Sequence, residues 1–164
     1  RLYDALEATG DRLAADPTVA PFLHEGLRRS AALRADLEDL AGPDWAERFP
    51  ASAATTAYAD RLSALASWPA GFVAHHYTRY LGDLSGGQFL GRAADRAYGL
   101  SPDHGGRFAD FSTLGDPAAF KAAYRQALDA APWDDEERAR IVDEVHAAYV
   151  RNGQVLAALE HHAP

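Results

Sequence analysis

Apolar residues recur every three to four positions along most of this chain, and nowhere do they alternate with polar ones as a half-buried strand requires. Residues 1–14 read as part of one helix, stopped near Pro17. Residues 26–41 form a second, with Leu27, Leu33, Leu37 and Leu40 as its stripe and Gly42-Pro43 at its end. Residues 43–50 read as loop, and a third helix covers 52–67 with Tyr58, Leu62 and Leu65 until Trp68-Pro69 ends it. A long helix follows over about 70–98, then a polar loop holding Gly99, Pro102, Gly105 and Gly106. Asp116-Pro117 supplies an N-cap and first position for a helix to about Ala131. Asp134 with Glu137 forms a capping box for the last helix, whose apolar face runs Ile141, Val145, Tyr149, Val155/Leu156 and Leu159. No internal repeat is visible, and the class expected is all-α.

At 164 residues the chain makes one domain, 1–164, large enough for a full core. Composition then removes several functions. No apolar run approaches a membrane span, so no membrane insertion is expected. A net charge of −8 argues against nucleic acid as a partner. The absence of cysteine rules out disulfides, thiolate ligands and a Cys nucleophile, and fits a reducing, cytoplasmic compartment. Methionine is absent too, and Arg1-Leu2-Tyr3-Asp4-Ala5-Leu6-Glu7 reads as mid-helix with no cap ahead of it. The expectation is an N-terminally truncated domain.

The chemistry concentrates at residues 77–88, Tyr-Thr-Arg-Tyr-Leu-Gly-Asp-Leu-Ser-Gly-Gly-Gln. Gly82, Gly86 and Gly87 lie inside a helical pattern, where each costs about 1 kcal/mol relative to alanine. Something must offset that cost: a backbone that bends, or one that lies against a partner leaving no room for a Cβ. Gly82 shares a face with Gly86, and Asp83 with Gly87. The result is a bare strip of backbone beside one carboxylate, a floor for something flat. The competing explanation is a helix crossing that small residues merely admit.

Extended upstream through Val73-Ala74-His75-His76, these residues closely resemble, without a gap, the distal helix of heme oxygenases, and the resemblance runs from residue 1 to about 160. It implies a multihelical heme oxygenase-like bundle of bacterial type. It also implies a reaction in which heme is both cofactor and substrate, and O2 the co-substrate. Heme degradation would yield biliverdin, carbon monoxide and ferrous iron, serving iron acquisition. Electrons would come from an external donor, a reductase or ferredoxin-like protein. The strip of Gly82, Ser85, Gly86 and Gly87 would lie against the heme. Asp83 would order waters beside iron-bound hydroperoxide without touching the iron.

Further residues gain roles only through the resemblance. On spacing alone Lys121 and Arg125 are two solvated cations on one face, with Lys121 the only lysine of the chain. By resemblance they present charge to the heme propionates, and Tyr77 adds a hydroxyl there. Asn152, an amide on an apolar helix face, joins the distal network while Tyr149 packs on the heme; Tyr3, Tyr58 and Arg79 match network positions as well. No iron ligand is named. The family's axial histidine lies upstream of the segment matching residues 1–14, His75 and His76 fall on the distal side, and His24, His104, His146, His161 and His162 read as solvated or capping. Two rivals stand beside the enzyme: a non-catalytic heme-binding or transport protein of the same fold, and a helical interaction module.

Overall fold

Helix boundaries follow the capping chemistry written into the chain. The computed structural model describes residues 1–160, with eight α-helices: α1 (Leu2–Arg12), α2 (Ser30–Ala41), α3 (Trp45–Arg48), α4 (Ala53–Ala64), α5 (Pro69–Gly82), α6 (Gln88–Tyr98), α7 (Pro117–Ala130) and α8 (Asp135–Glu160). No strand occurs among the described residues, only isolated bridges at Ser101 in the loop after α6. Ser52 accepts from the Thr55 amide to start α4, and Asp116 accepts from the amides of Ala118 and Ala119 to start α7, with Pro117 in its first turn. Gly99, left-handed at φ 68°, stops α6.

Four expectations shift. The second helix begins at Ser30 rather than residue 26, because Arg28 is extended and Glu25–Leu27 is a separate 3-10 turn capped by the His24 ring. Its cap comes from far away: Glu7 Oε1 accepts from the amides of Arg29 (2.6 Å) and Ser30 (2.9 Å). The expected loop over 43–50 contains the single turn α3. Only half of the capping box forms: Asp134 accepts from the Glu137 amide at 2.8 Å, but the Glu137 carboxylate turns to the Trp68 indole N–H at 2.6 Å.

The fourth shift concerns α8. Tyr149, Leu156 and Leu159 are exposed, and the buried side instead carries Glu144 and Ala148. Each four-residue step advances about 40° around a helix, so a stripe drawn through Ile141, Val145 and Tyr149 drifts about 80° off its starting line.

The core gathers on α5, whose residues Ala70 to His76 are all buried. α5 packs against α8 and α1, and α1 packs against α4. Tyr3, Leu6, Phe22, Leu27, Tyr58, Leu62, Phe72, Val73, Tyr80 and Tyr124 fill the space between them. Among the described residues no helix is long and apolar enough to cross a membrane.

Candidate active site

Between α5 and α6 the helical path continues without a break but widens into a π turn over Asp83–Gly87. Here the low helix propensity of the glycines finds its use, since single π turns sit in helices at the expense of regular bonding and cluster at functional sites. Gly82 and Gly86 are exposed, and a Cβ built on either meets no atom within 4 Å. Close-approach glycines lie elsewhere on the same path. A Cβ on Gly71 would stand 2.2 Å from the Trp68 ring, and one on Gly91 would stand 2.5 Å from the Ala109 methyl. Gly82 and Gly86 therefore admit no neighbouring helix among the described residues; they leave bare backbone. The Gly87 Cβ direction points at the Asp83 side chain, 3.4 Å away, so these two share a face as expected.

Asp83 is half-buried and held from α1. The Tyr3 hydroxyl donates to Asp83 Oδ2 at 2.5 Å, and Arg79 Nη2 donates to the same Tyr3 oxygen at 3.1 Å. The other arm of Arg79, Nη1, donates to Asn152 Oδ1 at 2.6 Å on α8. Arg79 thus reaches Asp83 through Tyr3 rather than by a direct bond along its own helix, and its buried Nε–H has no hydrogen-bond partner. Burial raises the Asp83 carboxyl above the usual carboxylate range, against the Tyr3 hydrogen bond and the charges of Arg79 and Arg29. Burial and the Asp83 charge push the Tyr3 phenol far up, so it stays a donor.

Two arrangements beside this network are assembled only by the fold. Arg29 is buried, its guanidinium lies over the Phe111 ring at 4.1 Å, and that guanidinium donates only to backbone carbonyls of Gly26, Leu27, Arg28, Phe108 and Asp110. Its charge bears on Asp83 without a carboxylate of its own. The second is a chain running inward from Tyr58: its hydroxyl meets His75 Nδ1 at 3.0 Å, His75 Nε2 meets Glu144 Oε1 at 2.7 Å, and Arg61 clasps Glu144 through Nε and Nη2. Tyr58 is pushed up to about 12 by burial. An acid on the buried side of α8 was the available clue to Glu144, hidden by the misplaced stripe.

The cationic residues divide. Lys121 on α7 reaches the π turn, its Nζ 3.4 Å from Ser85 Oγ. Tyr77 lies half-buried with its ring 6.2 Å from that of Tyr124. Arg125 and Tyr149 are exposed and form no hydrogen bond to the turn. Among the histidines, His76 is buried against the Tyr124 hydroxyl at 2.8 Å and driven down to about 3 by desolvation, which makes it a neutral core group. His24 caps its turn, His104 stands 3.5 Å from Asp39, and His161 and His162 lie outside the described residues. No cluster of three or more His, Cys, Asp or Glu side chains fit for a metal occurs among the described residues.

A bare backbone floor, one carboxylate held beside it and a lysine at its rim suit a flat anionic ligand. The family model described as heme oxygenase matches residues 1–158. Heme oxygenase 1 of Nostoc sp. strain PCC 7120 is 39% identical over 97% of this chain and 67% of its own length. The heme oxygenase of Takifugu rubripes is 38% identical over 97% of this chain and 58% of its own length. In three dimensions, heme oxygenase-1 from Synechocystis sp. PCC 6803, solved in complex with heme, superposes with a TM-score of 0.90 at 38% identity, covering 98% of this chain and 73% of that one. The chain thus spans about three-fifths to two-thirds of the length of these curated relatives, and it belongs to the heme oxygenase family.

Proposed function

We propose that this protein opens heme oxidatively to biliverdin, carbon monoxide and ferrous iron, with O2 as co-substrate and electrons from a reductase or ferredoxin-like donor. The observation that carries the reading is the open backbone at Gly82 and Gly86 set against an Asp83 held by Tyr3 from α1, whose phenol Arg79 links onward to Asn152 on α8. Asp83, partly buried and held above its ordinary pKa by that burial, favours chemistry over heme binding alone. When bound, heme supplies both the iron at which dioxygen is activated and the porphyrin edge that is cut.

The chain supplies position and protons. Gly82, Ser85, Gly86 and Gly87 let backbone lie flat against the macrocycle. Asp83 would anchor water and pass protons through it, held by Tyr3 directly and by Arg79 and Asn152 through that phenol. Lys121, Arg125 and Tyr77 bind the propionates, and Tyr149 packs on the ring. A cytoplasmic setting belongs to the same proposal.

The test is single-turnover ring opening. The protein with its native flanking sequence is loaded with hemin, reduced under air, and its pigments are extracted. Biliverdin with stoichiometric carbon monoxide is the expected result. A stable Soret band with neither product would leave a heme-binding protein, and no saturable Soret band would leave an interaction module.

A further inference from the structure

The hydrogen-bond chain behind Tyr58 has a direction, and each bond in it is fixed by the one before. Arg61 donates to Glu144 through Nε at 2.9 Å and Nη2 at 2.6 Å. Burial would favour the neutral acid, but these bonds and the contact with His75 outweigh it, and Glu144 stays ionised. An ionised carboxylate only accepts. The 2.7 Å contact between Glu144 Oε1 and His75 Nε2 is therefore donated by the ring, which places the proton on Nε2.

Desolvation keeps His75 neutral against the pull of Glu144, so its Nδ1 has only a lone pair to offer. The 3.0 Å bond to Tyr58 is then donated by the phenol. With its one proton spent inward, Tyr58 presents lone pairs outward. Of the charges that bear on it, Glu144 lies inward beyond His75, and the other two are cationic, Arg79 from α5 and Arg151 from α8. The reverse arrangement would aim the phenol proton toward those guanidiniums and set a lone pair of His75 against a carboxylate, both unfavourable.

We infer that Glu144, acting through His75, holds the Tyr58 phenol proton inward and leaves its oxygen lone pairs to the side of Arg79, which makes Glu144 and His75 positioning residues for the distal network. Neither touches the substrate. The inference rests on the reading of Tyr58 and Arg79 as parts of that network, and its first test needs no heme.

Long-range 1H–15N spectra of the heme-free protein report the His75 tautomer. The expected pattern is a protonated, pyrrole-type Nε2 and a pyridine-type Nδ1. In Glu144→Ala the acceptor of the Nε2 proton is gone, which frees the proton to move to Nδ1 and the Tyr58 bond to reverse. With heme bound, that variant should keep its heme affinity and lose roughly ten- to hundredfold in ring-opening rate, as when an outer hydrogen-bond partner of a functional group is removed. A proton on Nδ1 in the unmodified protein overturns the inference, whether or not the variant folds. So does a reversed tautomer in Glu144→Ala with an unchanged ring-opening rate. If the unmodified protein opens no heme at all, it is the proposed function that fails, while the tautomer still decides the polarity of Tyr58.

Discussion

Tyr3 and Asp83, separated by 80 residues, are joined by a 2.5 Å hydrogen bond that ties α1 to the π turn. The same phenol oxygen accepts from Arg79, so removing one hydroxyl cuts two bonds. Tyr3→Phe keeps the ring, which packs on Tyr80 and Phe108 with centroids 5.8 and 5.6 Å away. Heme affinity should therefore hold, while ring-opening rate falls roughly ten- to hundredfold for a lost orienting partner. Stopped-flow single turnover measures it, and an unchanged rate would detach Tyr3 from the mechanism.

Asp83 itself should separate stability from activity. Its folded-state pKa is raised above 3.8, chiefly by burial. Ionising it therefore costs the folded state stability, and that loss develops as pH rises from 3.8 through the folded pKa. Asp83→Asn, which can still accept from Tyr3, removes the penalty. The variant should unfold at a higher temperature than the parent at pH 7, with the difference vanishing below pH 3.8. Asp83→Ala should retain heme binding and lose a factor of about 10²–10⁴ in ring opening, the usual span for a positioned proton-transfer group. Thermal melts across pH check the first half; an advantage that grows toward acid pH would contradict the raised pKa.

Charge at the rim can be reversed. Lys121 touches the π turn at Ser85 and Arg125 is one helical turn further along the exposed face of α7. Replacing both with Glu should weaken hemin binding, most at low ionic strength, because exposed charge pairs are screened by salt. Rotation of the heme in its site should also change which biliverdin isomer forms. Equal affinity at all salt concentrations with an unaltered isomer would remove both residues from propionate binding.

Caps and glycines made most helix boundaries and the floor of the site legible from the chain. Asp116-Pro117 starts α7 where the residues say it should, because an N-cap acts through its own nearest amides. The start of α2 is not legible in the chain because its cap, Glu7, lies 22 residues away from Arg29 in sequence, and no local pattern reports a tertiary cap. The propensity cost of Gly82, Gly86 and Gly87 pointed to an unusual backbone; that it takes the form of a π turn depends on packing on both flanks. Likewise Arg79 lies four residues before Asp83 on the same helical path, and only the fold sets Tyr3 from another helix between them. Arg29 and Glu144 went unseen since each derives its role from partners brought together only by the fold.

Gly82 and Gly86 give the sharpest separation between an open floor and a packing surface. In a packing role, a methyl group at either position would strike a neighbouring helix and destabilise the protein. Here a Cβ on Gly82 or Gly86 meets nothing within 4 Å, whereas one on Gly91 meets the Ala109 methyl at 2.5 Å. Backbone angles at Gly82 are helical, φ −61° and ψ −48°, so alanine fits without strain. Gly82→Ala should therefore stabilise the heme-free protein by up to about 1 kcal/mol, the propensity difference between the two residues. Gly86→Ala should follow the same direction, tempered by its place in the π turn. Gly91→Ala should destabilise. With heme present the order inverts: the added methyl groups of the first two intrude on the macrocycle and weaken binding, while Gly91→Ala leaves the heme contact itself untouched. Urea denaturation of the heme-free variants and hemin titration of each supply the two readouts. Destabilisation by Gly82→Ala without heme would return these glycines to helix packing and take away the floor on which the proposed function stands.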